Sequence, residues 1–144
     1  PDRIFGSDYA MGPIVAVDIH RDLALCKALV GDTKLHPLPI EKERPKISSK
    51  VLAIGSPLGL IRSVTEGVVS EYRTLNKPNN PTVLQIDAPI NPGNSGGALV
   101  NLEGKLVGVP TLKMSGVGIE GLGFAIDIST VLAFFEEHNI PFEI

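Results

Sequence analysis

The chain is poor in several residue types whose presence would point to particular classes of protein. Its single cysteine, Cys26, cannot form an internal disulfide, and we interpret it as a small buried hydrophobe within an apolar run. No apolar run approaches the ~18 residues that are needed to span a membrane. The first residues also lack a signal-peptide pattern. These 144 residues are therefore expected to contain no membrane segment, an expectation that concerns this chain alone.

Positive charge is also scarce relative to negative charge. The 13 lysines and arginines are scattered among 16 acidic residues, and the net charge of -3 provides no basic surface for nucleic acid. There are three scattered histidines and no HExxH pattern, so neither a metal site nor a cofactor is predicted. Hydrophobic residues at 43% and charged residues at 20% are typical of a globular domain.

What the sequence does contain is the pattern of a β protein. Short runs rich in β-branched residues alternate with clusters of Gly, Pro, Asn and Ser, which favours a barrel or a sandwich. One helix is predicted, with Asp127 or Ser129 as its N-cap and its end near Asn139. Its apolar stripe is expected to comprise Ile128, Val131, Leu132 and Phe135. The predicted strands are 14–19, 23–30, 51–54, 64–72, 82–86, 105–112 and 121–126.

The glycine-rich segment Asn91–Gly97, called the serine loop below, resembles the nucleophile loop of a serine protease. Glycine before the serine lets backbone N–H groups turn toward a reacting carbonyl, and glycine after it lets substrate approach the backbone. With other blocks in matching order and spacing, this loop resembles the HtrA/Deg family of trypsin-like serine proteases. The other blocks are 22–25, 55–59, 64–70, 85–90 and 121–126.

The resemblance implies an all-β, trypsin-like double β-barrel with the active site in the cleft between the barrels. Residues 1–30 would form the last strands of the first barrel, and residues 31–50 would form the connector. The complete second barrel would follow in 51–126, and the closing helix and tail in 127–144. The implied activity is that of a serine endopeptidase that cleaves unfolded or damaged proteins by an acyl-enzyme mechanism.

The same resemblance assigns roles to individual residues. Ser95 matches the nucleophile of the family, and Asp22 matches its triad aspartate. The backbone of Gly93, Asn94 and Ser95 would form the oxyanion hole. Two plainer interpretations stay open: the serine loop as a tight turn between strands, and Asp22 as a turn residue that opens a strand.

The sequence has no histidine that is well placed to activate Ser95. In the family this histidine lies upstream of the aspartate, whereas here only His20 precedes Asp22, two residues away. We interpret His20 as a solvated turn residue, His36 as an extended-loop residue and His138 as a residue of the last helical turn. Either the catalytic histidine lies upstream of the first residue in a longer protease, or the protein is a pseudo-protease that binds peptides without cutting them. In both cases these residues alone are expected to hydrolyse peptides very poorly.

Residues near the serine bear on specificity and activation. Pro89 stands where trypsin-like enzymes that cleave after Arg or Lys carry an acid, so a preference for basic side chains is not expected. Apolar Ile90 suits a shallow pocket for small or medium aliphatic side chains, unless Ile90 is simply core. Asn94 is a neutral amide and cannot pair with a new N-terminal ammonium, which argues against activation by clipping. By resemblance, the other pocket residues would be Val109, Pro110 and Thr111.

The resemblance also implies features beyond this chain. HtrA proteases commonly carry a PDZ domain, assemble as trimers, and act outside the cytoplasm or within organelles. Polypeptide substrates and a homo-oligomeric parent protein are therefore the expected partners. Segments 59–64, 71–82 and 113–120 match surface loops that the family orders and disorders, although their composition equally fits ordinary hairpin connections.

Overall fold

The computed structural model describes residues 10–55, 63–111 and 122–142. Within these ranges, eight strands are followed by the helix α1, Ile128–Glu137. The strands are β1 (Ala10–Asp18), β2 (Leu23–Leu29), β3 (Lys50–Gly55), β4 (Ser63–Thr74), β5 (Thr82–Ile86), β6 (Ala98–Asn101), β7 (Leu106–Thr111) and β8 (Gly123–Asp127).

Strands β3 to β8 close into a barrel in the order β3-β4-β5-β8-β7-β6, and every neighbouring pair is antiparallel. The barrel closes because β3 is hydrogen-bonded to β4 on one side and to β6 on the other. Its core is formed by inward-facing side chains of these strands together with two residues of the segment that follows β5, Ala88 and Ile90. The core comprises Val51, Ala53, Val69, Leu84, Ile86, Ala88, Ile90, Leu99, Val107 and Ala125. The predicted all-β barrel fold with one C-terminal helix is confirmed.

Strands β1 and β2 form a separate two-stranded antiparallel ribbon. Most of its large apolar side chains are solvent-exposed, among them Ile14 at 64% and Val17 at 58%, whereas Leu23 and Leu25 of β2 are half-buried. A two-stranded ribbon is at best marginally stable in water without an apolar partner. Cys26 on β2 is half-buried, so the expectation of a buried cysteine is wrong, because no described layer covers the ribbon on both faces.

The connector, residues 30–49, follows the barrel surface between the ribbon and β3. Ile40 forms a parallel bridge with Leu106 at the start of β7, and Ile40 is buried beneath α1. Further along, the Tyr72 hydroxyl donates a hydrogen bond to the Pro45 carbonyl oxygen at 2.7 Å. The connector is thus held to the barrel at two separate strands.

The N-cap of helix α1 is Asp127, one of the two predicted candidates, and its side chain accepts a hydrogen bond from the Ser129 N–H. The same carboxylate accepts a hydrogen bond from Arg44 Nε at 2.9 Å, which ties the connector to the start of the helix. The helix ends at Glu137, short of the predicted Asn139. Its buried residues are Ile128, Thr130, Val131 and Phe134.

Three local predictions need correction. Strand β6, Ala98–Asn101, was not predicted, because its four residues form only a short apolar run with a single β-branched residue and no alternation. Strand β4 extends to Thr74, two residues beyond the predicted end at 72, so the first four residues of the predicted loop 71–82 lie in a strand. Phe134, which the predicted stripe omits, is buried, whereas Leu132 and Phe135 of that stripe are only partly buried.

Two of the predicted surface loops lie largely outside the described residues, namely 113–120 entirely and 59–64 except for its last two residues. In the part of the chain that the structure describes, no helix is both long and apolar enough to cross a bilayer.

Candidate active site

The serine loop is a compact run of turns between β5 and β6. The Asn94 N–H donates a hydrogen bond to the Asn91 carbonyl oxygen at 3.0 Å. Gly93 has a φ of 97°, a left-handed conformation that glycine adopts readily. Ser95 is exposed while the neighbouring Asn94 is buried. The loop therefore presents the serine to solvent from a backbone that is held in place beneath it.

Glycines let the end of β3 and the serine loop approach closely. A Cβ added at Gly55 would lie 2.7 Å from both the Asn94 Cα and the Gly93 carbonyl oxygen. A Cβ added at Gly97 would overlap the Ile54 carbonyl oxygen. Neither position has room for a side chain without moving backbone. The end of β3 therefore supports the loop at the residues predicted to form the oxyanion hole.

Asn94 places a buried polar group under this loop. Its Oδ1 atom has no hydrogen-bond partner among the described residues. A carboxylate at this position would carry a buried charge without a partner, which costs far more than an unpaired amide oxygen. The neutral side chain therefore suits a site where no described cation is available.

Asp22 is the last residue of the turn that joins β1 to β2. Its φ of 58° lies in the left-handed region, which aspartate tolerates better than most other residues. Asp22 Oδ2 accepts a hydrogen bond from Thr111 Oγ1 at 2.6 Å. The carboxylate is thus directed from the ribbon toward the end of β7.

Strand β7 brings both candidate catalytic segments together. The Pro110 carbonyl oxygen accepts a hydrogen bond at 2.8 Å from the N–H of Gly96, the residue after Ser95. The next residue of the strand, Thr111, donates to Asp22. Consecutive Cα atoms lie about 3.8 Å apart. The serine loop and the aspartate turn are therefore anchored on adjacent residues of one strand.

The residues predicted to line a substrate pocket have different surroundings. Ile90 belongs to the barrel core and is 7% exposed, which favours its interpretation as core. Val109 packs against the apolar cluster beneath α1. Pro110 and Thr111 are buried at the end of β7, where they hold the serine loop and the aspartate turn. The pocket itself stays a prediction.

The three histidines lie in separate parts of the described structure. His20 is exposed in the β1–β2 turn, and its backbone N–H donates to Asp18 Oδ1 at 2.9 Å. His36 is exposed in the connector. His138 caps the end of α1, with Nδ1 2.9 Å from the Phe134 carbonyl oxygen. Of the three histidine rings, only that of His138 forms a hydrogen bond to another described residue, and that residue, Phe134, belongs to α1.

An ion-pair network that sequence reasoning missed surrounds the aspartate turn. Arg21 is buried beside Asp22 and bonds to the carboxylates of Asp18 and Glu137. The hydrogen bond from Arg21 lowers the pKa of Glu137, and the same bond raises the pKa of Arg21. Burial alone would raise the pKa of Asp18, but the backbone N–H groups of Arg21 and His20 hold it below the ordinary 3.8. The partners Arg21 and Glu137 are 116 residues apart, so no local signal pointed to their contact.

Comparisons with known proteins identify the family of the chain. The trypsin-like peptidase domain family matches residues 6–109, and the chain therefore belongs to that family. Within it, the resemblance to HtrA/Deg proteases is confirmed by curated relatives. The "Serine protease HtrA-like" of Staphylococcus epidermidis is 37% identical over 146 residues, and that of Staphylococcus haemolyticus is 36% identical over 140 residues. These alignments cover 92% and 89% of this chain but only 25% and 22% of the relatives.

Solved structures share the fold. The active form of the Rv3671c protease from M. tuberculosis matches with a TM-score of 0.78 at 22% identity, over 94% of this chain and 61% of that chain. Its inactive form matches with a TM-score of 0.74 at 23% identity, over 90% of this chain and 66% of that chain. The chain thus spans about a quarter of the length of the first curated relative and less than two thirds of the first solved structure.

Proposed function

We propose that this chain is part of a serine endopeptidase of the HtrA/Deg type, which cleaves unfolded or damaged polypeptides through an acyl-enzyme. Ser95 is the nucleophile in this proposal, and the backbone N–H groups of Gly93 and Ser95, with Asn94 between them, form the oxyanion hole. Asp22 orients the histidine base and stabilises the imidazolium that forms during the reaction. Membership of the trypsin-like peptidase family supports this chemistry.

The observation that carries the proposal is the double anchoring on β7. Pro110 holds the backbone next to Ser95, and Thr111 holds the Asp22 carboxylate. Attachment to neighbouring residues of one strand keeps the serine loop and Asp22 in a constant relative position, which a shared catalytic role requires. The shared strand favours a joint role for Ser95 and Asp22 over two unrelated turns.

The mechanism requires an imidazole between Ser95 and Asp22. None of the described histidine rings is bonded to either residue, and we infer that the base comes from a part of the protein outside these 144 residues. The exposed apolar ribbon supports this inference, because further strands of a first barrel would cover it. On this view the 144 residues alone are nearly inactive, since loss of one triad member removes most of the catalysis.

The substrate class follows from what the site lacks. Pro89 provides no carboxylate where a pocket for Arg or Lys would need one. We therefore propose that the complete protein does not cleave preferentially after Arg or Lys in extended polypeptides. The complete protein is proposed to work as a homo-oligomer, a trimer by analogy with the family.

Labelling with a fluorophosphonate probe, which reacts with activated serines, tests the proposal. The complete protein should be labelled rapidly and should cleave an unfolded polypeptide. Ser95→Ala should abolish labelling, and Asp22→Asn should lower kcat by about 10⁴-fold. Ser70→Ala, which changes a serine within β4, is the matched control and should leave labelling unchanged.

Three outcomes contradict parts of the proposal. Rapid labelling of the isolated 144 residues would show that no outside histidine is needed. Full activity of Asp22→Asn would remove Asp22 from the mechanism. A complete protein that binds unfolded peptides but neither labels nor cleaves would be the pseudo-protease.

A further inference from the structure

We propose that Arg21 is a positioning residue for catalysis: it clamps the turn that carries Asp22 onto the end of α1 and so sets the direction of the Asp22 carboxylate. This inference rests on the proposed role of Asp22 in the triad. It concerns how that residue is held rather than what it does.

The burial of Arg21 is the first support. Its side chain is only 4% exposed, which is rare for arginine unless the charge is paired. Nη1 donates to Glu137 Oε2 at 2.8 Å and Nη2 donates to Glu137 Oε1 at 2.7 Å, a two-pronged geometry that fixes the guanidinium plane. Nη1 also donates to Asp18 Oδ2 at 2.9 Å. The guanidinium is therefore held by carboxylates on both sides.

The turn itself is organised around the same network. Asp18 Oδ1 accepts hydrogen bonds from the backbone N–H groups of His20 and Arg21, at 2.9 and 3.1 Å. The other oxygen of that carboxylate binds the Arg21 guanidinium. Asp18 therefore joins the backbone of the turn to the arginine that fastens it. The turn then delivers Asp22 in its left-handed conformation, which surrounding contacts must maintain.

Two adjacent residues of this turn are anchored on different parts of the molecule. Arg21 is bound to Glu137 near the end of α1, and Asp22 is bound to Thr111 at the end of β7. Most large apolar side chains of the ribbon are exposed, and the packing described beside the turn comes from Leu23, which is partly buried against the cluster beneath α1. Release of Arg21 would therefore free the turn on the helix side, and Asp22 would keep its direction for a smaller fraction of the time.

A purely structural role for Arg21 is the competing explanation, and the chain contains a matched control for it. Arg44 is also ion-paired to α1, with Nε 2.9 Å from the Asp127 carboxylate at the helix N-cap. Arg44 lies in the connector, and its hydrogen bonds go to Asp127 and Ser129 rather than to the aspartate turn. Loss of either arginine should destabilise the attachment of α1, but only loss of Arg21 should disturb Asp22.

The test compares Arg21→Met, Glu137→Gln and Arg44→Met in the complete protein, with urea unfolding measured beside kcat and KM on a fluorogenic peptide. We expect Arg21→Met and Glu137→Gln to lower kcat by about tenfold while KM changes less than twofold. Arg21→Lys, which keeps the charge but loses the fork, should give an intermediate kcat. Because both substitutions act on the same Arg21–Glu137 pair, the double variant Arg21→Met/Glu137→Gln should lose little more kcat than Arg21→Met alone. Arg44→Met should lose stability and keep kcat.

The Glu137 side chain is 49% exposed, so Glu137→Gln decides the question even if Arg21→Met fails to fold. A folded Glu137→Gln with the original kcat overturns the inference. So does a kcat that simply follows stability across all variants, Arg44→Met included. Asp22→Asn, measured alongside, distinguishes failure of the proposed function from failure of the positioning role. An unchanged kcat in Asp22→Asn refutes the proposed function. Loss of activity in Asp22→Asn, with unaffected Arg21 and Glu137 variants, refutes only the positioning role of Arg21.

Discussion

Gly55→Ala tests whether the end of β3 shapes the serine loop, because a loss of stability is expected where alanine would ordinarily bring a gain. Gly55 lies in a strand with a φ outside the left-handed region, where alanine ordinarily stabilises a protein by about 0.4–1 kcal/mol through the unfolded state. Here, however, the added Cβ would lie 2.7 Å from the Asn94 Cα and from the Gly93 carbonyl oxygen. Carbon atoms pack at about 3.5–4.0 Å, so one of the two backbones must move by about 1 Å.

The expected magnitudes follow from that displacement. Overpacking of this kind costs about 1–3 kcal/mol, which reverses the usual gain from alanine. Both contacts involve backbone atoms of the predicted oxyanion hole, so the displacement moves the groups that would bind the oxyanion. A misplacement of about 1 Å lowers turnover by about 100-fold. Gly55→Ala should therefore lose both stability and reactivity at Ser95.

The assay is urea unfolding together with the rate of fluorophosphonate labelling of the complete protein. Gly104→Ala is the matched control, because Gly104 has a φ of 78° but no atom within 4 Å of an added Cβ. It lies in the β6–β7 hairpin and should lose about 1–2 kcal/mol through backbone strain alone, without slower labelling. A Gly55→Ala protein that is as stable as the original and labels at the original rate would refute the reasoning.

Two further predictions concern the hydroxyl groups of Thr111 and Tyr72. Thr111→Val removes a hydroxyl that donates to Asp22, so it should cost about 1.5–3 kcal/mol of stability and also lower kcat. Thr130→Val is its control, because it loses an equally buried hydroxyl that accepts a hydrogen bond from the Thr82 N–H. This control should lower stability alone. Equal kcat in the two variants would contradict a role for the Thr111 contact. Burial raises the pKa of Tyr72 from 10.0 to about 12, so the stability linked to its protonated form is complete below pH 10 and is lost as the pH rises toward 12. Tyr72→Phe should remove this alkaline loss in unfolding measured against pH, and an unchanged alkaline limb would show that another group causes it.

Much of the barrel was predictable because its signals are local. Strand β5 has the bounds that its β-branched run predicts, Thr82–Ile86. The helix begins at Asp127, a residue type whose side chain accepts the N–H groups that a helix start leaves unpaired. Strand β6 was not predictable in this way. Its four residues have no distinctive pattern and are extended because they pair with β3, which is distant in sequence, and with β7, which follows after a turn.

The candidate site likewise combines features with a local sequence signal and contacts between residues that are distant in sequence. Ser95 was identified because the glycines that shape its loop are its sequence neighbours. Asp22 was identified only by its place in an ordered set of blocks. The contact that directs Asp22 spans 89 residues to Thr111, and the one that holds its turn spans 116 residues from Arg21 to Glu137. Such pairs carry no spacing signal, because their distance is set by the path of the strands between them.

By itself, the sequence determined the class of the protein, its β architecture, its candidate nucleophile and the lack of a nearby histidine. These properties depend on residue types and short-range order, which the chain carries before it folds. Only the tertiary structure decided that the serine loop and the aspartate turn meet on Pro110 and Thr111 of β7, and that Arg21 fastens that turn to α1. The physical reason is that hydrogen bonds require partners within about 3 Å. That proximity exists only once the barrel has closed and the helix has packed against it.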